Sequence, residues 1–250
     1  MAHRVVTFPA VDSPVASRVS VTGRSGRVEV FGEDRADIEV DGARRASLDT
    51  DTGGAHVIVE GTSDRIVVHC PMGTDVSIGT LSGRVGLAGP LGEARITTSS
   101  GRVDVGEVAS VDVRTRSGSI RVGRCDGAVR ARTTSGRISV DAAGQLEAAS
   151  TSGVITARSV RSATVRTTSG RVELAVRDVG SVAVRTVSGR VDISLPPEAR
   201  PELLLRSITG RIDDAIQSGH EGESGHEGES GHEGIVGVET VTGRIQVRAR

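Results

Sequence analysis

Apolar residues return at every second position along most of the chain, separated by arginine, acids, serine or threonine. Such alternation predicts short, half-buried β-strands whose successive side chains point to opposite faces. A phrase, Ser/Thr-Gly-x-Val/Ile-x-apolar, punctuates the pattern at Gly26, Gly83, Gly101, Gly118, Gly136, Gly153, Gly170, Gly189, Gly210 and Gly243. From Gly83 to Gly189 its steps are 18, 17, 18, 17, 17 and 19 residues, followed by steps of 21 and 33. Near-equal steps of this kind mark a repeat architecture.

Aligned on the glycine, the copies build columns. Two residues after it stand Val85, Val103, Ile120, Ile138, Ile155, Val172, Val191, Ile212 and Ile245. Four after it stand Leu87, Val105, Val122, Val140, Ala157, Leu174, Ile193 and Val247, and five before it Ile96, Val113, Ala131, Ala148, Val165, Val184, Leu205 and Val238. Each unit therefore holds two short strands joined at a Ser-Gly corner, where glycine reaches positive φ without strain. No amphipathic run of helical length separates the strands, so a crossover-helix fold is excluded.

The predicted fold is all-β: a single-domain β-solenoid (parallel β-helix) of ~17-residue, two-strand coils, with equivalent strands stacked about 4.8 Å apart. An antiparallel array with each Ser-Gly at a hairpin tip fits the same strand lengths. Residues 1–81 are β-rich but irregular in spacing, as expected of an N-terminal cap, and residues 82–250 form the repeats with a low-complexity loop at 214–234. The final strand, Arg244–Val247, is expected to leave an unpaired edge, which makes an end-to-end homo-oligomer one expectation.

The charge balance narrows the partners. Thirty-one basic and 32 acidic residues give a formal net charge of −1, with no tryptophan or tyrosine and two phenylalanines, so nucleic acid is not an expected partner. Every basic residue is arginine. Arg84, Arg102, Arg137, Arg171, Arg190, Arg211 and Arg244 follow the glycine directly, and Asp104, Glu173, Asp192 and Asp213 stand two residues further on. A second set, Arg114, Arg132, Arg166, Arg185 and Arg206, lies four before the glycine. The columns read either as a solvated face whose heads pair with neighbouring acids, the preferred reading, or as a docking stripe for an anionic polymer or an acidic partner.

Candidate chemistry is sparse. Cys70 and Cys125 form no CxxC pair, and Cys125 stands where Val108 and Val160 stand in other copies, which predicts core thiols. The pairs Thr97-Thr98, Thr133-Thr134 and Thr167-Thr168 cannot make one flat threonine face, because neighbours on a strand point opposite ways. In residues 218–234 the hexapeptide Ser-Gly-His-Glu-Gly-Glu repeats, and His220, His226 and His232 are weak metal-ligand candidates whose exact repetition reads better as loop duplication. No catalytic, cofactor-binding or metal-ligating residue is assigned, and no cofactor is expected. The N-terminus lacks a secretory pattern and no apolar stretch reaches membrane-spanning length, so the expected location is cytoplasmic, without a transmembrane segment.

The stretch Arg65-Ile-Val-Val-His-Cys-Pro-Met-Gly-Thr-Asp-Val-Ser-Ile78, followed by Thr80-Leu-Ser-Gly-Arg-Val-Gly-Leu87, resembles the bacterial adhesin-like β-strand repeat family, a domain of unknown function. The resemblance covers roughly residues 18–249, with the SGHEGE insert as a departure. It implies a non-enzymatic scaffold or protein-binding module with an unidentified protein partner, tied to the cell envelope or stress signalling. A self-assembling cytoskeletal-type rod is the alternative. A β-helical polysaccharide-acting enzyme is a second, disfavoured because the acids recur once per coil rather than clustering, and because there is no aromatic platform and no Ser-His-Asp or metal-spaced set.

Overall fold

The computed structural model describes residues 5–8, 18–49, 56–61, 65–178, 180–214 and 234–249. The described residues contain strands and no helix. In chain order the strands are β1 (Val6–Phe8), β2 (Arg18–Gly23), β3 (Arg27–Glu33), β4 (Ile38–Asp41), β5 (Arg45–Asp49) and β6 (His56–Glu60). There follow β7 (Ile66–Pro71), β8 (Asp75–Val176), β9 (Val182–Leu195), β10 (Glu202–Asp214) and β11 (Ile235–Ala249), all joined in one sheet.

Strand β8 runs without a break for 102 residues. Laid straight it would reach ~340 Å at about 3.3 Å per residue. It bends at its glycines instead and stacks on itself. A methyl group added at Gly136 would land on the carbonyl oxygen of Gly118, and the same relation links Gly101 to Gly83, Gly153 to Gly136 and Gly170 to Gly153. These corners have φ between 132° and 156°, which only glycine adopts without strain. Two reasons, conformation and close approach, thus fix one residue type at each of these corners.

Around this column the passes of chain pair in parallel. Gly170 lies beside Gly189, Gly189 beside Gly243, and Gly243 beside Gly210. Apart from the outermost pass, the alternating apolar positions meet in one core dominated by valine and isoleucine, with Ile96, Ile120, Ile138, Leu146 and Ile155 fully buried. Parallel pairing removes the antiparallel hairpin array.

The order of passes differs from the order of the chain at both ends. The final strand does not supply the edge: β11 lies between β9 and β10, and β10 is outermost. The inward positions of each explain this. Strand β11 brings Val236, Val238, Ile245 and Val247, all fully buried. Strand β10 offers Leu203, Leu205 and Ile212, but places Asp214 in register with Val247. A pass covered on both sides needs the complete apolar set, and β11 has it. At the other end, β2 and β3 lie between β6–β7 and the start of β8, with Arg27 beside Arg84 and Val28 beside both Ile66 and Val85. There the stack is closed by antiparallel strands: β5 on β6, β4 on β7 and β1 on β4.

Candidate binding face

Residues one, three and five places after each corner glycine point outward, by the same alternation that sends their neighbours inward. The arginines after the glycine fall in register: Arg171 beside Arg190, Arg190 beside Arg244, and Arg244 beside Arg211. Arg27 belongs to the same column, beside Arg84. Its signal was in the sequence, in the phrase Ser25-Gly26-Arg27-Val28, but the 57-residue gap to Gly83 hides the adjacency. The acids make a less regular row, with Glu173 beside Asp192 but Gln246 between Asp192 and Asp213.

The two arginine sets differ in how they are neutralised. In the set before the glycine, Arg114 pairs with Asp112 at 3.0 Å, Arg132 with Glu147 at 2.7 Å, and Arg185 with Glu239 on the neighbouring pass at 3.0 Å. The solvated, paired reading applies to these three; Arg166 and Arg206 of the same set make no ion pair among the described residues. In the set after the glycine, Arg244 reaches Asp213 at 3.2 Å and Arg171 meets Glu173 only at 3.8 Å. Among the described residues, Arg84, Arg102, Arg137 and Arg190 make no ion pair, and neither does Arg121, three places after Gly118.

Arg102, Arg121, Arg137, Arg158 and Arg171 surround one groove of about 520 Å³. The groove exists because Ser119 and Val154 interrupt the arginine column, leaving short side chains between long ones. Ser119, Ser139 and Thr156 add hydroxyls, and Asp104 and Glu173 are its acids. Arg158 is partly neutralised by Asp141 at 3.3 Å. Asp104 and Arg121 also border a shallow depression over Phe31, Ala88, Gly106 and Gly123, so apolar surface adjoins the cationic groove. Guanidinium groups stay charged at any physiological pH and present forked donors that match carboxylates. Such a groove can hold anions.

Other residues singled out from the sequence take structural places. Cys70 and Cys125 are free and buried, donating to the carbonyls of Phe31 at 3.5 Å and Ala109 at 3.4 Å. Burial pushes the Cys70 thiol up to about 11 and the Cys125 thiol upward as well. Thr98, Thr133 and Thr167 point inward while Thr97, Thr134 and Thr168 point out. The inward threonines have a task the sequence reading missed. Thr98, Thr115, Thr133, Thr167, Thr186 and Thr240 each donate to the carbonyl two residues on, at 3.1–3.3 Å, bracing the corner. Ser150 and Ser207 occupy the same place, yet their hydroxyl oxygens are buried without a partner. Threonine's branched β-carbon restricts χ1, and serine lacks that restraint. His220, His226 and His232 lie outside the described residues, and no three metal-ligating side chains cluster among those described. No described helix is long and apolar enough to cross a membrane.

No functionally curated protein matches the chain in sequence. Solved structures share its fold, among them two from Parabacteroides. A "putative adhesin" from Parabacteroides distasonis is 13% identical, with 98% of this chain and 97% of that one covered at a TM-score of 0.55. A second "putative adhesin", from Parabacteroides merdae, is 11% identical, with 99% and 96% covered at a TM-score of 0.53. At such identities the likeness concerns architecture alone. The sequence pattern of one family extends over residues 11–248, nearly the whole chain, and on that match the protein belongs to the Toastrack DUF4097 family.

Proposed function

We propose that the chain is a β-solenoid of ~17-residue, two-strand coils that acts as a non-enzymatic, adhesin-like scaffold and binds an acidic protein partner on its arginine face. The parallel registers and the glycine column support the solenoid reading. The observation that carries the binding reading is the groove itself: Arg102, Arg121 and Arg137 line it together without ion-pair partners, whereas Arg114, Arg132 and Arg185 of the other set are each paired with an acid. Holding unpaired like charges together carries a repulsive cost that an anionic partner relieves. The apolar depression beside Arg121 suits a folded protein surface better than a bare polyanion, which offers only charge.

Poly-L-glutamate serves as the probe. Changing Arg102, Arg121 and Arg137 together to Ser is expected to weaken its binding about tenfold or more at low salt. Changing the paired Arg114, Arg132 and Arg185 to Ser is expected to weaken it far less. Calorimetry showing equal losses from both triples would reduce the effect to net charge and end the groove assignment.

A further inference from the structure

We propose that two copies of this chain pair through the outer edge of β10, about a twofold axis, to form a closed dimer. The inference does not rest on the arginine groove. Strand β10 pairs with β11 on one side, and no described strand covers its other side along 13 residues. Its side chains are those of an interface. Ile208 is 78% exposed, Leu204 47% and Ile212 40%, whereas Ile245, one pass inward from Ile212, is fully buried. Val241 and Val187, two places before the corner glycines of the next passes, are half-exposed and extend the apolar row away from the edge.

An open row of backbone donors and acceptors is best met by another strand edge. The far end of the stack does not offer a matching one. It finishes in β1 and β5, of three and five residues, and short edge strands are a protection against pairing. The long bare edge among the described residues is therefore β10 itself, and the occupant it fits is a second β10. Glu202, Arg206 and Arg211 place both signs of charge on the strand, so a copy turned through a half-rotation does not meet a like-charged wall. A twofold contact uses the same patch on both partners and leaves nothing to extend. That chemistry gives a dimer, not the filament of a cytoskeletal rod. The contact is one pass wide, which puts it among small, concentration-dependent interfaces with a dissociation constant on the order of 1–100 μM.

Sedimentation of the full chain across that range tests the proposal. The expected result is a shift from monomer to dimer with no larger species. Ile208→Arg, and separately Leu204→Arg, are expected to keep the protein monomeric with an unchanged circular-dichroism spectrum, because both side chains are already exposed. The Arg102/Arg121/Arg137→Ser variant is expected to dimerise normally, which separates this inference from the binding reading. A monomer at every concentration overturns the proposal. So does mass growing beyond two copies, or a dimer that survives Ile208→Arg. If the full chain is monomeric and deletion of residues 218–233 makes it dimerise, the edge belongs to the chain's own segment instead.

Discussion

The two ends of the stack use one manoeuvre and finish it differently. At each end, a pass closer to the terminus is tucked inside one farther from it: β2–β3 beneath β6–β7, and β11 beneath β10. At the N-terminal end, short antiparallel strands then cover the outermost pass, and Arg35 gathers Asp37 and Glu39 at 3.0 Å each. At the C-terminal end nothing among the described residues covers β10, and the column that holds Ile245 in the core leaves Ile212 exposed. The interior of a stack stabilises itself by repetition. Its ends must be finished by residues that break the repeat.

The largest effect is expected within the stack, where both ends should matter least. Gly136→Val combines a clash with the Gly118 carbonyl and a backbone conformation closed to branched residues. It is expected to cost more than about 4 kcal/mol and to abolish the cooperative thermal transition, because neither neighbouring pass can move aside.

The inner and outer passes can then be compared at one column position. Ile245→Ala is expected to lower stability by about 2–5 kcal/mol and Ile212→Ala by less than about 1 kcal/mol, since only the first opens a cavity in packed core. Urea denaturation of the two variants checks this. Equal losses would mean that β10 is as well covered as β11.

A smaller effect is expected at the corners. Thr133→Val keeps the shape but removes the donor to the Ser135 carbonyl, and is expected to cost about 1 kcal/mol. Ser150→Thr is expected to raise the melting temperature slightly by giving the unpartnered hydroxyl position the restrained rotamer of its neighbours.

The smallest is a pH effect at the capped end. The Arg35 guanidinium beside Asp37 holds that carboxyl below its ordinary value of 3.8. A depressed folded value means that stability is fully present above the ordinary carboxylate range and is lost as pH falls through the lowered value. Wild type is therefore expected to lose slightly more thermal stability than Asp37→Asn as pH drops below about 4. Parallel losses would show that the pair contributes nothing.

Much of the architecture can be read from the glycine phrase. It identifies the corner, the buried columns at Val103, Ile120 and Ile138, and the outward arginines. Spacing says which residues share a column, but not the order in which passes stack. Strand β11 follows β10 in the chain and precedes it in space, and the hint was a single acid, Asp214, at a position held elsewhere by valine, leucine, isoleucine or alanine. The N-terminal passes were obscured for a related reason. Gly26 joins Gly83 only after an excursion through β4 to β7, so their kinship is not a matter of period. The groove was legible as a column of arginines but not as a cluster of unpaired ones. Pairing depends on which acid stands on the adjacent pass, as Glu239 does for Arg185, and that follows from stacking order.

Stacking order is also what amide hydrogen exchange reports most directly, since a strand bonded on both sides opens far less often than one at an edge. The amides of β11 from Val236 to Val247 are expected to exchange as slowly as those of β9, although they lie near the end of the chain, while those of β10 exchange quickly in dilute solution. Slow exchange in β10 beside fast exchange in β11 would reverse the two passes and contradict the account.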